Sequence, residues 1–152
     1  EEDADTALAI YPAKDEEQML DSSKRLLGDS LFGAPSYYAA RAMADRGEDI
    51  YFYHFNQKPS GKAGEILGAF HASEIAYVFG VGGLGPIEDP ELSRIMLAYW
   101  TNFSKIGNPN GDDIPDWETM KLNKDTWHLL GPKIGQENIS RMNIYNLLRR
   151  IS

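Results

Sequence analysis

Apolar positions recur along this chain in two rhythms, one helical and one strand-like. The clearest helical stripe lies at 90–106, where Leu92, Ile95, Met96, Tyr99, Trp100 and Phe103 fall on one face. Asp89 suits its N-cap, Pro90 its first position and Glu91 the positive end of its dipole, and Gly107 closes it. A helix is predicted over 14–27, with Met19, Leu20 and Leu27 apolar and Gly28 as the stop. Another starts at Pro35, carries Tyr38, Ala39, Ala42 and Met43 as its stripe, and ends at Gly47. A last helix is predicted over 139–151 from Ile139, Met142, Tyr145, Leu147, Leu148 and Ile151. Residues 6–11 form a short apolar piece stopped by Pro12, and 29–34 read as a turn or short helix.

The strand rhythm is rarer. Residues 50–55 are β-rich and apolar on both faces, as in a strand buried inside a sheet. A helix, a glycine turn and such a strand form the αβ half of a βαβ unit, so the class is α/β. Residues 127–130 are a short strand candidate before Gly131-Pro132. Residues 56–64 read as a polar loop, 80–86 as a glycine-rich loop and 108–113 as a turn cluster. No repeat or low-complexity tract interrupts the chain.

At 152 residues the length predicts one domain with a real core. The net charge of -8, from 23 acidic and 15 basic residues, argues against nucleic-acid partners, because phosphate contacts need a basic face. No apolar run approaches the ~18 residues of a membrane span. The absence of cysteine removes disulfides, thiolate catalysis and cysteine metal sites together. The opening Glu1-Glu2-Asp3-Ala4-Asp5 has neither the basic end nor the apolar stretch of a signal peptide and reads as mid-chain sequence.

Three histidines, His54, His71 and His128, lie far apart, with no ligand at zinc spacing, so neither a metal nor a cofactor is expected. His54 and His128 fall in strand candidates and read as packed or surface rings. His71 differs. It follows a glycine-containing loop and precedes Glu74 and the apolar run 75–79. An imidazole held at a loop edge by a packed segment is mounted as a general base needs to be. Two further motifs mislead. Gly80-Val81-Gly82-Gly83-Leu84-Gly85 matches a dinucleotide pattern, but Pro86 follows where a helix should open. Gly28-Asp29-Ser30-Leu31-Phe32 nearly matches a nucleophile elbow, but a helix precedes it and Phe32 fills the last glycine position. The sequons at Asn102 and Asn138 have meaning only on an exported protein.

Three segments together carry a resemblance. Gly68-Ala69-Phe70-His71-Ala72-Ser73-Glu74-Ile75-Ala76-Tyr77-Val78-Phe79-Gly80 resembles the histidine segment of the type-B carboxylesterases, the cholinesterase-like branch of the α/β-hydrolases. Leu92 to Met96 and then Tyr99-Trp100-Thr101-Asn102-Phe103-Ser104-Lys105-Ile106-Gly107-Asn108-Pro109-Asn110 are similar to the helix and turn that follow it. Gly28-Asp29-Ser30-Leu31-Phe32-Gly33-Ala34-Pro35 and Tyr51-Phe52-Tyr53-His54-Phe55 resemble the preceding helix and a late sheet strand. Two positions depart from the pattern: Ala72 stands where glycine is commoner, and Ala76 where proline often occurs.

The resemblance implies the C-terminal part of an α/β-hydrolase domain across residues 1–152: a late strand, a histidine loop, covering helices and a short terminal strand. It makes His71 the third member of a serine–acid–histidine triad and Glu74 a buried supporting group, not the triad acid. The serine, the acid and the oxyanion hole are expected upstream, so this chain alone is expected to be inactive. The implied partners are the N-terminal part of the same protein and a small ester substrate, with self-association when the chain is isolated. Two other readings stand beside it: a non-catalytic cholinesterase-like interaction module, and an independent small α/β binding domain.

Overall fold

A computed structural model describes residues 2–81, 87–121 and 123–151. Most of the expected glycine-rich loop at 80–86 lies outside the described residues. In chain order the elements are helices α1 (Glu2–Ile10), α2 (Glu16–Gly28) and α3 (Ala34–Ala44), strand β1 (Tyr53–Phe55), helices α4 (Gly61–Leu67), α5 (Ile75–Phe79) and α6 (Pro90–Ile106), strands β2 (Thr126–Leu130) and β3 (Gly135–Asn138), and helix α7 (Met142–Ile151). They fall into two compact units, one helical and one built on the sheet.

The helical unit contains α1, α2, α3 and α7. Gly28, read as a helix stop, does not stop one: its φ of -61° is helical, and a π-helical turn at Asp29–Gly33 carries α2 into α3. A tertiary anchor overrides the local signal. Asp29 is buried, ion-paired to Arg141, and accepts from the Tyr11 hydroxyl at 3.0 Å. Burial and the Asp29 carboxylate push the Tyr11 phenol up. The turn also needs Gly33, where a Cβ would lie 2.8 Å from the Tyr145 hydroxyl.

The buried face of α3 is Ala34, Tyr37, Ala40 and Ala44, rather than the expected Tyr38, Ala39, Ala42 and Met43. Tyr37 sets this rotation. Its hydroxyl donates to Asp125 at 2.5 Å and its ring lies 5.7 Å from that of Tyr145. The apolar stripe expected on α2 forms but stays uncovered, with Met19 at 49%, Leu20 at 47% and Leu27 at 59% exposure. The piece at 6–11 belongs to α1 as far as Ile10.

The second unit holds a three-stranded mixed sheet in the order β1-β2-β3. β1 runs parallel to β2 with Tyr53 opposite His128, and β2 runs antiparallel to β3 with His128 opposite Gln136. The strand expected over 50–55 is shorter, though the Phe52 carbonyl still accepts from the His128 N–H at 2.8 Å. β3 escaped sequence reading because Gly135-Gln136-Glu137-Asn138 has no apolar rhythm, and pairing with β2 creates it. Part of the expected polar loop is α4. Its start is held by Glu88, whose carboxylate accepts from the Ser60 N–H at 2.8 and 2.9 Å. Gly64 is required there, since a Cβ would meet the Pro59 carbonyl.

α6 forms as its caps predict: Asp89 accepts from the Leu92 N–H at 3.0 Å, and Gly107 ends the helix at φ 72°. Its Leu92, Ile95, Met96 and Tyr99 pack with Tyr77 and Val78 of α5, Trp117, and Leu130 of β2. The turn after α6 is tied down by Asn110, which accepts from the Trp117 N–H at 2.7 Å and donates to the Trp117 carbonyl at 3.0 Å. At the centre of this core His128 is wholly buried, stacked on Trp117 at 5.0 Å, with its Nε2 3.2 Å from the Tyr99 hydroxyl. Tyr99 donates in turn to the Pro115 carbonyl at 2.6 Å.

Candidate functional site

His71 sits exposed in the short connection between α4 and α5. Gly68, at φ 64°, ends α4 and turns the chain into it. The Phe70 carbonyl then accepts from the Ser73 N–H at 3.1 Å, closing a four-residue turn with His71 and Ala72 at its corners. Ala72 has φ 70°, while His71 is not among the positive-φ residues. That combination is a type II turn, with its left-handed corner at Ala72. Glycine normally fills that corner, because a Cβ there crowds the backbone. The Ser73 hydroxyl donates to the same Phe70 carbonyl at 2.6 Å, so the turn is closed twice.

Behind the turn the chain is pinned. The Glu74 carbonyl accepts from Tyr77 and Val78 N–H groups at 3.0 Å and opens α5. α5 ends after one turn at left-handed Gly80, φ 64°. Buried Ser93 of α6 donates to the Tyr77 carbonyl at 2.9 Å and so satisfies one of the acceptors that a helix end leaves open. A solvent-reached imidazole is thus carried on a rigid base.

Glu74 is half-buried directly before α5 and makes no side-chain cap there. Its charge acts on Tyr53: burial first, and the Glu74 carboxylate second, push that phenol up.

The other candidates have different surroundings. Ser30 lies in the helical unit, and its hydroxyl folds back to donate to the Leu26 carbonyl at 2.6 Å. This helical back-bond is not the strained exposure of a nucleophile elbow. His54 is half-buried, its ring stacked 4.4 Å from that of Trp127. Burial lowers the His128 pKa to about 4, Gln136 offsetting part of the shift, so the ring is neutral near pH 7. The Asn102 amide is committed to the Pro109 and Asn110 carbonyls at 3.1 and 3.3 Å. Among the described residues no group of three or more His, Asp or Glu side chains gathers to hold a metal, and no helix is long and apolar enough to cross a membrane. The left-handed corner and the second closure at Ser73 escaped sequence reading. The one available signal was alanine where glycine is commoner.

Comparison with known proteins agrees with the resemblance. The sequence profile of the carboxylesterase family matches residues 4–146. A medium-chain fatty acyl-CoA hydrolase precursor from Anas platyrhynchos is 40% identical over 121 residues, which is 76% of this chain and 22% of that protein. Carboxylesterase 1C from Mus musculus is 36% identical, covering 70% of this chain and 20% of its own length. A liver carboxylesterase from Sus scrofa is 38% identical, covering 70% and 19%. The chain spans about a fifth of the length of these relatives.

Proposed function

Because the chain belongs to the carboxylesterase family, its helices and three-stranded sheet being part of an α/β-hydrolase fold, we propose that it contributes the general base of a serine ester hydrolase. His71 is that base. As a serine oxygen attacks the ester carbonyl, His71 accepts the hydroxyl proton, then delivers it to the departing alkoxide. In the second half it takes a proton from water, whose oxygen attacks the acyl-enzyme, and returns that proton to the serine as the acid leaves. Glu74 supports the histidine segment from behind and is not the triad acid. The serine, the acid and the oxyanion hole come from chain upstream of this segment. Without them this chain is inactive, since the covalent route is lost.

The observation that carries this reading is the mounting of His71: exposed at the corner of a doubly closed turn and backed by a helix pinned to α6. Two features support the upstream part of the same protein as partner. Among the described strands β1 pairs on one edge only. Met19, Leu20, Leu27 and Phe32 leave apolar surface uncovered on the helical unit.

The test is turnover of p-nitrophenyl esters by the full-length protein and by His71→Ala. Loss of a general base lowers kcat at least ~100-fold. A loss below about threefold removes His71 from that role.

A further inference from the structure

We infer that Ser73 is a positioning residue for His71, and that its hydroxyl compensates for the left-handed alanine beside the base. The inference rests on the reading of His71 as the general base.

Ala72 holds φ 70° at a turn corner that favours glycine, so its own preference works against the turn that presents His71. One backbone hydrogen bond, Ser73 N–H to the Phe70 carbonyl at 3.1 Å, opposes that tendency. The Ser73 hydroxyl adds a second and shorter bond to the same carbonyl, at 2.6 Å. The residues on both sides are constrained. Gly68 fixes the entry at φ 64°, and the Ala72 carbonyl accepts from the Ile75 N–H at 3.3 Å on the way into α5. Relaxation is therefore confined to the peptide units of His71 and Ala72, which set where the imidazole points. Removing the Ser73 hydroxyl leaves α5 and α6 in place and lowers the fraction of molecules whose His71 is aimed for proton transfer. The rate falls while substrate binding is untouched.

The dependence of Ser73 on Ala72 yields a specific signature. With glycine at position 72 the corner carries no strain, and the hydroxyl becomes dispensable. The two substitutions are therefore non-additive in a double-mutant cycle.

The experiment measures kcat and KM for a p-nitrophenyl ester in the full-length protein, with melting temperature recorded for each variant. Ser73→Ala is expected to lower kcat about fivefold, the factor one neutral hydrogen bond is worth, with KM unchanged. Ser73→Thr, which keeps the hydroxyl, retains kcat. Ala72→Gly combined with Ser73→Ala restores it. Should Ser73→Ala fail to fold, the pair with glycine at position 72 carries the test: Ala72→Gly with and without Ser73→Ala is expected to give equal kcat, and a lower kcat without the hydroxyl overturns the inference. Loss of activity in His71→Ala beside wild-type kcat in Ser73→Ala overturns the inference and leaves the base in place. A kcat equally low with glycine or alanine at position 72 also overturns it. Activity surviving in His71→Ala overturns both.

Discussion

Two histidines of the same unit are mounted in opposite ways. His128 is wholly buried, stacked on Trp117, edge-on to Tyr99, and within hydrogen-bond reach of the Tyr99 hydroxyl. Burial keeps it neutral far below the usual histidine range. His71 is exposed on a turn with a left-handed alanine at its next corner. The first ring is part of the packing that holds α6 on the sheet. The second lies at the surface, on the turn between α4 and α5. Residue type is shared; the mounting differs.

That contrast can be broken from the core side first. Trp117→Ala removes the ring that stacks on His128 and touches Tyr53, Tyr99 and Trp100. The expected cost is about 4 kcal/mol in denaturant unfolding of the full-length protein, the range of buried aromatic truncations. Next comes acid. His128 has a folded pKa of about 4 against an ordinary 6.5, so the unfolded chain takes up a proton that the folded chain refuses. Its contribution is complete above pH 6.5 and is lost as pH falls toward 4, about 3 kcal/mol in all. His128→Leu flattens that part of the stability profile. Ser93→Ala leaves the Tyr77 carbonyl without its buried donor and costs about 1–2 kcal/mol. The smallest effect comes from the turn. Ala72→Gly relieves the left-handed corner, and the greater freedom of the unfolded chain offsets part of the relief, for a net gain of about 0.5 kcal/mol.

Local chemistry was legible where it acted locally. Asp89, Pro90 and Gly107 bounded α6 in the sequence because caps act within one turn. His71 stood out by its setting between a glycine loop and an apolar run, and family resemblance gave it a role. What stayed hidden depends on partners distant in sequence. α4 needs Glu88, 28 residues from Ser60. The helix runs through Gly28 because Arg141 reaches Asp29 from 112 residues away. β3 exists by pairing alone, and α3 turns its tyrosines by one position to satisfy Asp125. At the site the same division holds. His71 is singled out by its neighbouring residues, but the double closure of its turn depends on dihedral angles that a sequence does not display.

The covalent half-reaction tests the base most directly, because it needs the histidine and no deacylation. Full-length protein and its His71→Ala variant are treated with a fluorophosphonate, and the rate at which a serine is labelled is followed by intact mass. The expected result is labelling slowed at least ~100-fold in the variant, with the melting temperature unchanged. Labelling at the wild-type rate in a folded His71→Ala protein contradicts the assignment.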